Sequence, residues 1–267
     1  MKLKYLGTAA SEGWPALFCH CEACERAKAL GGKDIRTRAQ AVVDDTLLID
    51  LGPDTYLHQL HHELNLPRVQ AVLVTHSHSD HWAVSNLYYR GEPYAYGMHP
   101  LPVWGNPHIG EDIARLRPDM AVQYHEAKPF EPFQITGGYT VTPLAAHHDD
   151  SQTSLIYHIQ RNGRSLLYAH DTGLLPENTW AWLRGRKLHF ISLDCTHMLG
   201  LSGGGHMGLR ENIQVRDRML AEGIADGQST FMLNHFSHNG RLSHADMEKE
   251  AAKHGFLVSW DGLEVSC

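Results

Sequence analysis

The segment His76-Ser77-His78-Ser79-Asp80-His81 follows the largely apolar run Val69-Gln70-Ala71-Val72-Leu73-Val74-Thr75 with no spacer. A short apolar run of this kind reads as a buried strand, so four ligand-type side chains are delivered together at one strand end. Imidazole nitrogen suits zinc, iron and manganese, and a neighbouring carboxylate widens the choice of divalent ion. One tetrahedral ion could hardly use all four donors and still draw ligands from elsewhere. The crowding therefore points to two adjacent metals, able to activate a water and clamp a substrate. In a chain with 21 His, the alternative is a solvated loop that is merely His-rich.

The 267 residues suffice for one large domain or two small ones with a substantial core. No repeat, low-complexity tract or Pro/Ser-rich linker divides them, so a single domain over 1–267 is expected. The formal net charge of −7 argues against general nucleic-acid binding, because counterion release needs a basic surface. It leaves a small phosphorylated substrate open, since local metal charge can hold one. The first seven residues lack an apolar stretch long enough for a signal peptide, and no uncharged run approaches membrane-spanning length. The expectation is a cytoplasmic protein with no membrane partner. Three of the five Cys crowd at Cys19, Cys21 and Cys24, and metal or redox chemistry suits them better than a disulfide framework. Cys195 ends an apolar run and reads as a small core residue.

Strand-like patterns recur at 2–6, 39–43, 46–50, 71–75, 139–144, 154–159, 165–169, 189–193 and 230–234. Asp44-Asp45 and Arg161-Asn162-Gly163 are hairpin turns by composition. Helical patterns lie at 55–64, 109–116, 211–221 and 244–253, with Ser243 placed to cap the last. Clustered strands with interspersed helices give an α/β layered architecture.

Thr75-His76-Ser77-His78-Ser79-Asp80-His81 resembles the HxHxDH signature of the metallo-β-lactamase superfamily, a group of mostly dinuclear metal hydrolases. The resemblance implies an α/β fold, the αβ/βα four-layer sandwich, with metals at one edge of two helix-flanked sheets. The motif says little about the reaction, because lactonases, thioesterases, nucleases and phosphodiesterases share it. It also implies three further donors at strand ends. After 139–144 the chain offers His147 and His148, and the spacing from Pro143-Leu144 favours His148. Asp171, in Tyr168-Ala169-His170-Asp171-Thr172-Gly173, resembles the family's bridging carboxylate. A shared oxygen can hold two cations about 3.5–4 Å apart, although an Asp that merely opens a turn would look the same. His235 closes the set. By resemblance, His76, His78 and His148 hold one metal, Asp80, His81 and His235 hold the other, and Asp171 joins them. Asp50 falls where the family places a carboxylate that orients a ligand His, and equally where a strand-ending turn Asp would sit.

Cys19-His20-Cys21-Glu22-Ala23-Cys24 supplies three thiolates, one short of a closed tetrahedral zinc site. Cys21 and Cys24 alone would suit a redox dithiol. His238, three residues after His235, is the candidate fourth ligand. With it, the chain resembles the phosphoribosyl cyclic phosphate phosphodiesterases of the carbon–phosphorus lyase pathway, where such a loop and a late His hold a structural zinc. That branch carries a catalytic His in the interval of Gly203-Gly204-Gly205-His206-Met207-Gly208, which nominates His206 as acid or base. An imidazole of ordinary pKa serves either role near neutrality, and flexible Gly-rich backbone would let it approach a substrate. Asp80 joins His206 in the expected catalytic set, with His197 as a pocket or supporting residue. The stretch 88–133, rich in Tyr, Pro and His, is expected to shape the pocket.

The expected protein is thus a dinuclear metal-dependent phosphodiesterase acting on a small, open or cyclic, phosphate ester. A metal-bridging hydroxide would attack phosphorus, with two Zn or Mn ions in the active site and one structural Zn. The rival readings are a lactone or thioester hydrolase, a tRNA 3′-processing nuclease, and a non-catalytic metabolite binder like the PQQ-biosynthesis B proteins. A homodimer is left open.

Overall fold

The computed structural model describes residues 1–200 and 202–267. Strand alternation stacks the chain into layers, because neighbouring side chains point to opposite faces and here both faces are apolar. The strands are β1 (Lys2–Gly7), β2 (Gln40–Val43), β3 (Leu47–Ile49), β4 (Ala71–Leu73), β5 (Leu101–Gly105), β6 (Val122–Glu126) and β7 (Phe133–Ile135). They continue as β8 (Tyr139–Ala145), β9 (Leu155–Arg161), β10 (Arg164–Ala169), β11 (Phe190–Asp194), β12 (Thr230–Asn234), β13 (Leu257–Val258) and β14 (Glu264–Ser266). The helices are α1 (Glu22–Leu30), α2 (Thr55–His61), α3 (Pro107–Ile113), α4 (Glu177–Leu183), α5 (Leu209–Ala221) and α6 (His244–Ala252).

Among the described residues the strands form two seven-stranded sheets, ordered β14-β1-β2-β3-β4-β5-β6 and β13-β12-β11-β10-β9-β8-β7. Leu47, Ile49, Leu73, Tyr157 and Tyr168 fill the layer between the sheets. Leu48, Val72 and Val103 point outward from the first sheet onto Ile109 and Ile113 of α3. Leu167, Ile191 and Leu233 point outward from the second onto α4, α5 and α6. This is the expected four-layer αβ/βα sandwich.

Both hairpins form as composition suggests. Asp44 and Asp45 take φ of 48° and 58°, and Asn162 and Gly163 take 49° and 72°, the positive values a two-residue hairpin turn requires. Ser243 caps α6 by accepting from the Asp246 amide. The helix expected over 55–64 stops at His61, and Glu63 then turns the chain with φ of 58°. The helix expected over 109–116 starts earlier, at Pro107, because Asn106 accepts from the Ile109 amide and caps it. Within 88–133 lie β5 and β6, which the sequence reading lacked, and Trp104 stacks on Phe133 at 3.6 Å. That ring packs the edge of the intersheet layer rather than a substrate pocket. Among the described residues no helix is long and apolar enough to cross a membrane.

Candidate metal centre

The carboxyl-terminal ends of β3, β4, β8, β10, β11 and β12 meet along one edge of the sandwich, and each delivers a polar side chain at its last residue or within the next three. At Asp50, Asp171 and His235 the backbone is left-handed, with φ of 66°, 50° and 62°. Such non-glycine conformations are uncommon and cost about 1–3 kcal/mol each, and here they swing all three side chains toward the same edge.

Two sets of donors result. His76 Nε2 lies 2.8 Å from His78 Nδ1, and His148 Nε2 lies 3.2 Å from that same atom. His148 is thus the member of the His147-His148 pair that turns inward, and His147 is exposed. In the second set His81 Nε2 is 3.1 Å from Asp80 Oδ2. Asp171 Oδ2 stands 2.8 Å from His81 Nε2 and 3.0 Å from His235 Nε2, with Oδ1 3.8 Å from His148 Nε2. Asp171 therefore faces both sets.

The protein has committed the far nitrogen of every one of these imidazoles. His81 Nδ1 donates to Asp50 Oδ2 at 2.7 Å. Thr75 Oγ1 donates to Asp50 and sits 3.0 Å from His76 Nδ1, whose proton it accepts. His78 Nε2 donates to Asp149 Oδ2 at 3.1 Å, and His148 Nδ1 donates to the Gly205 carbonyl at 3.3 Å. His235 Nδ1 faces Thr196 Oγ1 at 2.8 Å and Asp194 Oδ2 at 3.3 Å. With those protons spent, the five inward nitrogens are lone pairs, crowded against two carboxylates. Correspondingly, His81 Nε2, His235 Nε2 and Asp171 Oδ2 are buried and have no hydrogen-bond partner. Buried polar atoms are normally satisfied; neutral imidazole nitrogens and carboxylate oxygens facing one another at these distances fit divalent cations. Such outer partners fix tautomer and orientation in metal sites.

Asp194 was not singled out by the sequence, which presents it only as the last residue of a strand. It is fully buried and accepts from the Asp171, Thr196 and Met207 amides, from Thr196 Oγ1 and from His206 Nδ1 at 3.0 Å. Burial pushes its pKa up, and the hydrogen bonds from His206 and His235 more than reverse that. Asp149 was missed likewise. Gln152 fixes it from one side while taking the Ser77 amide and hydroxyl on the other, tying the two ligand loops together. Asn106, at the start of α3, donates to the same Gln152 oxygen.

His206 stands beside both sets, 80% of its side chain covered, with its ring stacked on His235 at 5.5 Å. Burial works against its charged form, but Asp194 and Asp171 prevail and raise its pKa to about 9. Its glycines serve geometry rather than flexibility. Gly204 and Gly205 take φ of 61° and 79°, and a Cβ on Gly205 would lie 2.6 Å from His148 Cα. The turn can pass that close to a ligand loop only without a side chain. His197 donates from Nε2 to the Gly203 carbonyl and steadies the same turn. Cys195 is a buried core thiol, as expected.

The cysteine cluster lies apart from the sheet edge. Cys19, Cys21, Cys24 and His238 place one donor atom each within 4.8 Å of all the others. His238 Nδ1 is 3.3 Å from Cys21 Sγ and 3.7 Å from Cys19 Sγ. Tetrahedral zinc with ordinary bond lengths would separate sulfur and nitrogen by about 3.6 Å. His238 pulls the Cys21 thiol down to about 6, whereas burial pushes Cys24 up to about 11. Glu12, 3.7 Å from His238 Nε2, faces the other side of that ring.

Over residues 45–225 the sequence matches the beta-lactamase superfamily domain. The chain belongs to the beta-lactamase superfamily. Coenzyme PQQ synthesis protein B of Klebsiella pneumoniae (strain 342) is 23% identical over 311 residues, spanning 100% of this chain and 98% of that protein. Among solved structures, a diphosphatase of the PhnP family superposes with a TM-score of 0.75 at 21% identity, covering 100% of this chain and 97% of the other. Zinc-bound PqqB from Methylobacterium extorquens gives 0.74 at 20%, covering 100% of both chains. Human tRNase Z, short form, gives 0.67 at 14%, covering 100% and 99%. At these identities the structural likeness is one of fold. Superfamily membership agrees with divalent-metal binding and leaves the substrate to the site itself.

Proposed function

We propose that this superfamily member hydrolyses a small phosphodiester, open or cyclic. It would use one cation held by His76, His78 and His148, a second held by Asp80, His81 and His235, and Asp171 between them. The observation that carries the reading is the lone-pair pattern: five imidazoles with their outer protons spent, converging on two carboxylates. Two divalent cations bound there would activate a water at neutral pH and offset charge on the phosphoryl oxygens. The chain supplies the remaining parts. Asp50, Thr75, Asp149 and Asp194 hold the imidazoles in the ligating tautomer. His206, anchored through Nδ1 to Asp194, keeps Nε2 available to bind a phosphoryl oxygen and to protonate the departing alkoxide. Its raised pKa supports a protonated resting state, and nearby cations would lower that pKa toward the working pH.

The likeness to a diphosphatase and to a tRNase supports phosphorus chemistry over a carbonyl substrate. The net charge of −7 supports a small ester over a nucleic acid. The cysteine cluster would hold a third, structural zinc. A panel of phosphodiester, phosphomonoester, lactone and thioester substrates, assayed with manganese or zinc restored, tests the reading. Phosphodiester turnover is expected. Preference for a lactone or thioester would move the assignment to carbonyl chemistry. Full metal loading with no turnover of any class would sink it in favour of a binding role, for which the full-length likeness to PQQ synthesis protein B would then speak.

A further inference from the structure

A continuous thread of buried polar side chains runs beneath the metal edge, and no role described so far uses it. His170 Nε2 lies 2.7 Å from Ser192 Oγ, which lies 2.6 Å from Tyr5 Oη on the facing sheet. On the other side of the ring, Asn234 Nδ2 donates to His170 Nδ1 at 3.1 Å, and Ser259 Oγ donates to Asn234 Oδ1. All five residues are at most 1% exposed. Burying polar groups is costly unless each is paired, and apolar side chains would fill the same space without that demand.

The places of the two central members show what the thread does. His170 directly precedes Asp171, and Asn234 directly precedes His235. Their strands are not neighbours, because β11 lies between β10 and β12, a separation of roughly 9–10 Å at ordinary strand spacing. The ladder of β10 on β11 ends at the pair Ala169–Leu193, one residue short of His170. Beyond it both chains turn left-handed, at Asp171 and at His235. Even so, Asp171 Oδ2 and His235 Nε2 finish 3.0 Å apart. Asp194 reaches each of these residues separately from β11; the His170–Asn234 bond joins their two chains to each other. We infer that His170 and Asn234 are positioning residues, whose hydrogen bond sets the spacing of Asp171 and His235 and with it the affinity for the second cation. The inference rests on the two-cation reading above. It also divides the two bonds of His170. The one at Nδ1 reaches a chain that carries a ligand, whereas the one at Nε2 leads away, to Ser192 and Tyr5.

His170→Asn and His170→Gln test this as a pair. Asparagine sets its amide where Nδ1 stands, so it keeps Asn234 and gives up Ser192. Glutamine sets its amide where Nε2 stands, so it keeps Ser192 and gives up Asn234. Each buries one amide and breaks one hydrogen bond, so a merely structural role would make the two alike. Mn²⁺ is titrated into protein stripped of its exchangeable metals and followed by electron paramagnetic resonance. The wild type should take up two ions and give the exchange-coupled spectrum of a carboxylate-bridged pair. His170→Gln should weaken the second cation on the order of 10–100-fold and lose the coupled signal, while His170→Asn keeps both. Ser192→Ala, which removes the Nε2 bond and leaves His170 in place, should also bind Mn²⁺ like the wild type. Equal affinities in the two His170 variants, a weaker His170→Asn, or a weakened Ser192→Ala would overturn the inference, whatever the melting temperatures. A wild type that takes up a single Mn²⁺ would instead remove the two-cation reading, and the inference with it.

Discussion

Asp194→Asn is the most informative single change, because it keeps shape and removes only charge and one acceptor. Asp194 Oδ1 takes the Thr196 and Met207 amides at 3.1 and 3.0 Å. Oδ2 takes the Asp171 amide, His206 and His235. An asparagine offers one oxygen, so its amide nitrogen must face one of these two groups of donors. Turning it toward the imidazoles would push their protons to the inner nitrogens and destroy the ligating lone pairs. The less damaging orientation leaves two buried backbone amides without an acceptor, at about 1–3 kcal/mol each. A loss of about 2–6 kcal/mol is large against a total stability of about 5–15 kcal/mol. For a chain of this size it lowers Tm by roughly 4–12 °C. Losing the negative charge behind His235 should also weaken the second cation about 10–100-fold, while the His76-His78-His148 ion and the cysteine-site zinc hold. Thermal melts of the metal-stripped and loaded protein, with a chelator-competition isotherm, measure both effects. A Tm within about 1 °C of wild type, with both active-site affinities unchanged, would refute the view that Asp194 organises this edge.

Elemental analysis of gently purified protein should find up to three metals per chain, one tightly held zinc and two exchangeable ions; a fully reconstituted protein with only one would remove the two-cation site. Cys21→Ser should lose the tight zinc and lower the melting temperature, since binding free energy at such a site is folding free energy, whereas Asp171→Ala should abolish turnover and keep that zinc. His206→Ala should retain its metals and lose on the order of 10²–10⁴ in rate, with a smaller loss for a p-nitrophenyl ester, whose leaving group needs little protonation. His158 is buried edge-on to Trp182 and neither ring nitrogen meets a protein partner, so burial lowers its pKa from 6.5 to about 4. The unfolded chain therefore takes up that proton first, and stability present above pH 6.5 declines, on the order of 3 kcal/mol, as pH falls toward 4. His158→Phe should flatten that slope in acid melts and leave Tm at pH 7 equal or higher; an unchanged slope would rule His158 out as its source.

Much of the metal centre was legible because its donors lie close together along the chain. His76, His78, Asp80 and His81 sit on one loop, and His235 and His238, three residues apart on another, reach two separate donor clusters. The hairpins at Asp44-Asp45 and Asn162-Gly163 and the Ser243 cap were likewise local, each set by backbone preferences within a few residues. Helices α1 and α4 were not read: α1 begins inside the cysteine loop, whose donors masked its start, and α4 is only seven residues long.

What tertiary structure decided is which atom of each donor is left over. The sequence records that a histidine is present; it does not record which nitrogen gives up its proton to a neighbour. Asp194, Asp149 and the Gly205 carbonyl make that choice for His235, His78 and His148. A strand-ending Asp such as Asp194 looks like any turn residue until the parallel register sets β11 between β10 and β12, beneath both His206 and His235. The donor inventory was therefore local, but for His81, His235, His148 and His78 the hydrogen-bonded selection depends on contacts from 31 to 71 positions apart along the chain, which only packing brings within bonding distance.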